Sequence, residues 1–134
     1  MKDKLFDTSA LLNLVITNGS KTFKSLVSQN ILDLTVYETG NVIWKLAYLQ
    51  KKITHQHACK LLESFLLLKE NMNILNTAGM EEKIKNLSLD TGLTFYDSAY
   101  VIAAQKANLV LVTDDASLSQ IAKKYLTVIG SNDI

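Results

Sequence analysis

Leu109-Val110-Leu111-Val112-Thr113-Asp114-Asp115 is the stretch that decides the fold. Four apolar residues in a row, two of them β-branched, read as a strand buried on both faces. The run stops on a threonine and two acids. Residues 94–107 before it and 117–125 after it are helical by length and spacing, and residues 127–129 read as a last short strand. A buried strand set between helices predicts a parallel sheet, because parallel neighbours need a crossover that a helix supplies.

Working outward to the N-terminus, residues 4–6 are a short apolar strand ending at Asp7, and residues 10–16 continue as an apolar helix. Residues 22–29 read as a second short helix. Residues 31–36 alternate weakly and carry β-branched side chains, which predicts a strand. Residues 38–51 and 54–69 are helical, the latter with Ala58, Leu61, Leu62, Phe65 and Leu66 in one stripe. Residues 72–75 predict a strand, and 81–89 a helix with Gly92 just past its end as a stop signal. The expected class is α/β: a central parallel sheet of four to five strands with helices on both faces. At 134 residues, with no proline, five glycines and no low-complexity tract, residues 1–134 are expected to form one domain.

Composition narrows the function. The hydrophobic share of 48% and charged share of 20% suit a globular core. A net charge of +1 gives no large basic field for nucleic acid. All fourteen basic residues are lysine, so phosphate contacts fall to lysine, backbone N–H groups or metal ions rather than guanidinium forks. Cys59 is the single cysteine, which excludes an intrachain disulfide and fits a cytoplasmic setting. No apolar run has the length of a signal peptide or a membrane span.

Placed on this map, the acids gather. Asp7 follows the first strand, Glu38 follows the second and opens a helix, and Asp115 follows 109–112. Asp97 lies in the first turn of the helix starting near Thr94. Acids near helix N-termini complement the dipole, and Thr35-Val36-Tyr37-Glu38 and Thr94-Phe95-Tyr96-Asp97 both resemble capping boxes. Capping does not account for Asp7, which ends a strand, and does not require the acids to converge. Carboxylates sharing one sheet edge repel one another unless cations neutralise them, and hard divalent ions with oxygen ligands are suited to that task.

Four segments in order carry a family resemblance. Phe6-Asp7-Thr8-Ser9-Ala10-Leu11-Leu12 looks like the opening motif of the PIN-domain family. Glu38 after Leu34-Thr35-Val36 resembles the second. Leu93-Thr94-Phe95-Tyr96-Asp97-Ser98-Ala99-Tyr100, running into Ile102-Ala103-Ala104, is similar to the third and is the most specific. Leu111-Val112-Thr113-Asp114-Asp115 looks like the fourth. The length is similar to that of VapC-type toxin nucleases. The resemblance implies that Asp7, Glu38, Asp97 and Asp115 hold Mg²⁺ or Mn²⁺ and are the catalytic set, with Asp114 as the alternative fourth acid. It implies that Thr8 or Ser9 orients a carboxylate or water, and that Thr113 either does the same or merely ends its strand. The implied activity is metal-dependent endoribonuclease cleavage of RNA by the toxin of a toxin–antitoxin pair, with an antitoxin protein as partner. A noncatalytic scaffold of the same fold that binds RNA or protein is the alternative.

Other features weigh less. His55 and Cys59 stand four apart on a helix, but no second pair completes a zinc site, and His57 reads as a surface residue. Trp44, Phe95 and Tyr96 read as core or interface rather than base-stacking platforms. Phe65-Leu66-Leu67-Leu68 fits either a deeply buried helix or a partner surface. With Trp44 it makes the region 38–69 the expected face for a homodimer or an antitoxin. A phosphorylation receiver domain would need a lysine after a late strand, and none is there.

Overall fold

The structure, a computed structural model, describes residues 2–134. Its strands are β1 (Lys4–Phe6), β2 (Asn30–Leu32), β3 (Asn73–Leu75), β4 (Val110–Val112) and β5 (Val128–Ile129). They form one parallel sheet in the order β3-β2-β1-β4-β5. The helices are α1 (Thr8–Asn18), α2 (Phe23–Leu26), α3 (Asp33–Trp44), α4 (His55–Lys69), α5 (Glu81–Thr91), α6 (Phe95–Ala107) and α7 (Ala116–Ala122).

Strand periodicity divides the core in two. Successive side chains point to opposite faces of a sheet. Leu5, Leu32 and Leu111 therefore join one cluster with Ile84, Leu87, Tyr100, Val101 and Leu118 from α5, α6 and α7. Their neighbours Phe6, Ile31 and Val112 join the other, with Ala10, Leu11, Leu14, Leu26, Phe65 and Leu68 from α1, α2 and α4. The inner strands β1, β2 and β4 are largely buried between the two clusters, as the unbroken apolar run at 109–112 predicts, while the edge strand β3 is mostly exposed. The α/β class with helices on both faces is as expected.

Register places the chemistry. Phe6 pairs with Val112. The residues that follow, Asp7 and Thr113, consequently leave the sheet side by side, and Asp7 N donates to Val112 O at 3.0 Å. Both central strands end there and pass into helices, so α1 and α7 begin at the same edge.

The reading of 31–36 as a strand is corrected. β2 stops at Leu32 and α3 starts at Asp33. The β-branched pair Thr35-Val36 is spent on a helix start, where Thr35 Oγ1 accepts from Leu32 N at 3.1 Å. Glu38 therefore does not open the helix but sits in its second turn, and no capping box joins it to Thr35. The helix expected at 38–51 ends at Trp44 and continues as a π turn, Lys45–Leu49, closed by Gln50 N to Lys45 O at 2.8 Å. The helix expected at 22–29 is a 3-10 turn, Gly19–Thr22, followed by the short α2. Gly92 ends α5 at φ 81°, the left-handed cap its position predicts.

Three packing expectations also change. The buried face of α4 is Leu61, Phe65 and Leu68, while Leu62 and Leu66 are exposed. Trp44, Phe95 and Tyr96 are exposed rather than core, since the inner side of α3 is filled by Thr35, Thr39 and Ile43. The run 65–68 is split, with Phe65 and Leu68 in the core and Leu66 and Leu67 facing out.

Thr39 is fully buried, and its Oγ1 has no hydrogen-bond partner among the described residues. A buried hydroxyl without a partner costs about 1–3 kcal/mol, and valine matches its shape without the polar atom. Thr39→Val is therefore expected to raise stability by about 1 kcal/mol in urea titrations. A loss of stability would mean that the hydroxyl is hydrogen-bonded.

Candidate active site

The carboxyl edge of β1 and β4 opens into a cleft of about 510 Å³. Asp7, Glu38, Asp97, Asp114 and Asp115 all line it, together with Thr8, Ser9, Asn13, Val42, Leu46 and Tyr100. The acids read from sequence as converging are thus brought to one cavity by four elements: the β1–α1 junction, α3, α6 and the β4–α7 junction. Among the described residues, the cleft lining contains no lysine.

Asp7 is the most enclosed, at 5% exposure. Its Oδ1 accepts from Ser9 Oγ at 2.7 Å and from Ala10 N at 2.9 Å, and its Oδ2 accepts a hydrogen bond from Thr113 Oγ1. The bond from Ala10 makes Asp7 the N-cap of α1, so capping does account for this residue. It is a cap because the helix starts immediately after the strand. Burial pushes the Asp7 carboxyl above its ordinary value, the bonds from Ala10, Thr113 and Ser9 oppose this, and the Glu38 charge adds to the rise.

The flanking hydroxyls serve different acids. Ser9 Oγ donates to Asp7 and accepts from Asp114 N at 3.0 Å. Thr8 Oγ1 donates to Glu38 Oε1 at 2.9 Å. Thr113 is more than a strand-end residue, for it bonds Asp7 and accepts from Asp115 N at 3.1 Å.

Asp97 lies in the first turn of α6, whose N-cap is Thr94; Asp97 N donates to Thr94 Oγ1 at 3.0 Å. The Thr94-to-Asp97 spacing is thus used as a cap. Among the described residues, the Asp97 carboxylate is steadied only by the neighbouring Thr94 hydroxyl, which lowers its pKa slightly. Partial burial and then the charges of Asp115, Asp7 and Glu38 raise its pKa to about 6. The part of this rise that comes from Asp115, Asp7 and Glu38 reflects their closeness to Asp97.

The adjacent acids Asp114 and Asp115 are bound differently. Asp114 Oδ1 accepts from Ser131 N at 2.8 Å and Oδ2 from Asn13 Nδ2 at 2.7 Å. Partial burial raises the Asp114 carboxyl, but the bonds from Ser131 and Asn13 outweigh it and leave the pKa lowered. Asp115 caps α7, accepting from Leu118 N through Oδ1 at 3.0 Å, and its Oδ2 is left without a protein donor among the described residues.

Sequence reasoning quoted Tyr100 in a motif but gave it no role. The structure places its hydroxyl against Glu38, Thr35 and Thr8. The available signal was spacing: Tyr100 lies three residues after Asp97, on the same side of a helix. Burial, then the Glu38 charge, raises the phenol far above its ordinary range, so it remains a donor. His55, His57 and Cys59 are exposed on α4, away from the cleft residues.

The donor set suits a hard divalent ion: carboxylates and hydroxyls, with free oxygens on Glu38, Asp97 and Asp115. Among the described residues, no group of three His, Cys, Asp or Glu side chains is already drawn around one point as a finished cage. Mg²⁺ does not demand one, because it keeps several waters and takes only one or two carboxylates.

Comparison with known proteins places the chain in a family. The PIN domain family profile matches residues 4–124. The chain is 36% identical over 117 residues to exonuclease VapC9 of Pyrobaculum aerophilum, covering 85% of this chain and 81% of that one. It is 30% identical over 119 residues to ribonuclease VapC3 of the same organism, covering 85% and 90%. Among solved structures, a Pyrobaculum aerophilum protein superposes with a TM-score of 0.79 at 27% identity, covering 98% of this chain and 85% of that one. A DNA-bound VapBC from Salmonella typhimurium shares the fold at a TM-score of 0.67 and 16% identity, covering 98% and 99%. By a match that spans nearly its whole length, the chain belongs to the PIN domain family.

Proposed function

We propose that this chain is a toxin ribonuclease that cuts single-stranded RNA internally, using Mg²⁺ or Mn²⁺ held by Asp7, Glu38, Asp97 and Asp115. One observation carries the reading: five acids and no lysine line one cleft. A phosphodiester is an anion and would be repelled from such a cleft unless cations stood between. A bound divalent ion supplies Lewis acidity toward the phosphate and acidifies water at neutral pH.

The chain's own residues supply position and charge. Ser9, Thr113 and the Ala10 N–H fix Asp7, and Thr8 fixes Glu38. Among the described residues, Asp97 is met by no donor other than the Thr94 hydroxyl, so it has oxygen lone pairs to offer. Asp115 is favoured over Asp114 as the fourth acid because its Oδ2 has no protein donor among the described residues, whereas Ser131 and Asn13 turn both Asp114 oxygens toward the 131–133 turn and α1. Asp7, also bonded at both oxygens, would offer an ion a remaining lone pair of Oδ2. The RNA substrate follows the name of the VapC3 relative, and the antitoxin partner follows the VapBC complexes. The VapC9 relative is named an exonuclease, so the internal mode of cutting needs its own test. We propose further that Trp44 and Tyr48, exposed and stacked at 5.9 Å, meet a second copy of the chain, and that Leu66 and Leu67 contribute to the antitoxin face.

A circular single-stranded RNA has no end, so only an endonuclease opens it. Wild type with Mn²⁺ is expected to linearise it, and Asp97→Asn to lower the rate by at least about 100-fold, since even residues supporting a ligand are worth 10–100-fold. Intact circles beside shortened linear RNA would establish an exonuclease instead. Retained turnover in Asp97→Asn would remove that residue from the ligand set.

Metal-free stability is expected to fall as pH rises from about 4 to about 6. Burial and the neighbouring carboxylates push the Asp97 pKa up from its ordinary 3.8 to about 6. The folded state holds the proton longer, so ionisation disfavours it across that window, fully so above the folded value. Asp97→Asn should flatten this slope in chelator. In Mn²⁺ at 100 times the dissociation constant wild type should gain about 2.7 kcal/mol, and the variant little. Melts of both proteins across pH, with chelator and with Mn²⁺, check this; equal metal shifts would dismiss the site.

Trp44→Glu is expected to convert a dimer to a monomer, because the charge would be buried in the contact. Light scattering over a concentration series reads the result directly. A wild-type protein that stays monomeric at high concentration would refute the proposed contact.

A further inference from the structure

Both hydrogen bonds to Glu38 fall on one oxygen. Thr8 Oγ1 donates to Oε1 at 2.9 Å and Tyr100 Oη donates to it at 2.7 Å. Tyr100 Oη also lies 2.7 Å from Thr35 Oγ1, and Thr35 Oγ1 accepts from Leu32 N at 3.1 Å. These distances fix the order of protons. A phenol carries one proton, and given to the carboxylate it leaves Tyr100 able only to accept from Thr35. The Thr35 oxygen already accepts from Leu32 N–H, so its own proton is free to go forward. The chain runs one way: Leu32 N–H to Thr35, Thr35 to Tyr100, Tyr100 to Glu38.

Every link is enclosed. Leu32 and Thr35 are 0% exposed and Tyr100 is 1% exposed. Leu32 ends β2, Thr35 lies one turn before Glu38 in α3, and Tyr100 reaches across from α6. Packing alone does not ask for a hydroxyl here, since Tyr100 sits in the cluster with Leu5, Val101 and Leu118, where phenylalanine would fill the same space. A buried phenol is costly unless paired, and successive donors in an enclosed chain strengthen one another. Glu38 also lacks what Asp7 and Asp115 have. Asp7 and Asp115 are held as helix caps, whereas Glu38 lies a turn into α3 and accepts no backbone N–H.

We propose that Tyr100, backed by Thr35, is the positioning residue for Glu38: it anchors Oε1 so that Oε2 is the oxygen presented to a divalent cation. This rests on the reading of Glu38 as a cation ligand. Oε2 makes no hydrogen bond to the described residues, and Glu38 and Tyr100 line the same cleft. Untethered, the glutamate would spread over several rotamers, and ordering it would weigh against each binding event. Tyr100 and Thr35 act through Glu38 and do not themselves take the ion.

The test is Mn²⁺ binding without RNA, followed by loss of the electron paramagnetic resonance signal of free Mn²⁺. It uses wild type, Glu38→Gln, Tyr100→Phe, Thr35→Val and Thr35→Ser. Tyr100→Phe and Thr35→Val are expected to weaken binding about 10- to 100-fold, the usual cost of losing a group that orients a ligand. Thr35→Ser keeps the hydroxyl and should bind like wild type. Thr39→Val, one turn along the buried side of α3, serves as the packing control and should leave affinity unchanged. Should Tyr100→Phe fold poorly, the Thr35 pair alone decides, since serine restores the relay and valine does not. Wild-type affinity in both Tyr100→Phe and Thr35→Val, with Glu38→Gln impaired, would overturn the positioning role while leaving the site intact. Wild type that binds no Mn²⁺, or Glu38→Gln that binds as tightly, would overturn the reading of the site and this inference with it.

Discussion

A carboxylate at 5% exposure between two strand ends is the constraint around which this edge of the sheet is organised. An ionised group removed from water is tolerated only when its lone pairs are met by donors. For Asp7 the donors are Ser9, Ala10 N and Thr113, and each arrives by a different route. Ser9 and Ala10 come from the immediate start of α1, which is why no loop separates β1 from its helix. Thr113 comes from the β1–β4 register, since pairing Phe6 with Val112 sets the next residues together. A one-residue slip in that register would send Val112 to the wrong face and remove the Thr113 hydroxyl from Asp7. Core packing and site geometry are thus fixed by the same pairing.

The remaining acids show that capping and ion binding are not competing explanations. Asp7 and Asp115 cap α1 and α7, and Asp97 lies in the first turn of α6. The positive ends of helices partly offset the repulsion among carboxylates, which lets them gather before any ion is present. The offset is incomplete: beside burial, the charges of Asp115, Asp7 and Glu38 still raise the Asp97 pKa. Glu38 is outside this scheme. It is a turn too deep in α3 for the helix end to help, and hydroxyls from three other residues are assembled at or behind it instead.

How much of this was legible depended on whether the signal was local. The run 109–112 gave its strand, its burial on both faces and the edge where it ends, because apolar continuity reports two-sided burial directly. Thr94 and Asp97 were legible as a helix start because the cap bond spans three residues. The β2–α3 boundary was not. Thr35-Val36 carry strand-like propensity, and only the bond from Leu32 N to Thr35 Oγ1 turns them into a helix start. That error displaced Glu38 to a helix opening it does not occupy. Asp7 was misread for the opposite reason: it is the one residue between the end of β1 and the start of α1, so a single side chain both follows the strand and caps the helix. Tyr100 stayed silent because its partners lie 62, 65 and 92 residues away. The aromatics read as core or interface could not be resolved from sequence; Thr35, Thr39 and Ile43, not Trp44, fill the inner side of α3, which removes the core half of that reading for Trp44.

The choice of supports has a consequence for charge. A carboxylate can be steadied by a cation or by neutral donors, and only the second leaves its charge intact. Fourteen lysines are present in the chain, yet none is among the residues lining the cleft. Ser9, Thr113, Thr8, Tyr100 and backbone N–H groups take that part. Had a lysine paired with Glu38, the geometry would have been as well fixed, but the local charge would have been cancelled and a divalent ion would have had to displace it. Neutral support separates orientation from neutralisation. The oxygens are held in place by groups that carry no net charge, and the negative field is left for a cation from solution. The same arrangement makes the metal-free cleft a strained element of an otherwise well-packed sheet. On the proposed function, an ion bound here would relieve that repulsion and stabilise the fold at the same place, so that affinity for the ion and stability of the edge would come from one source.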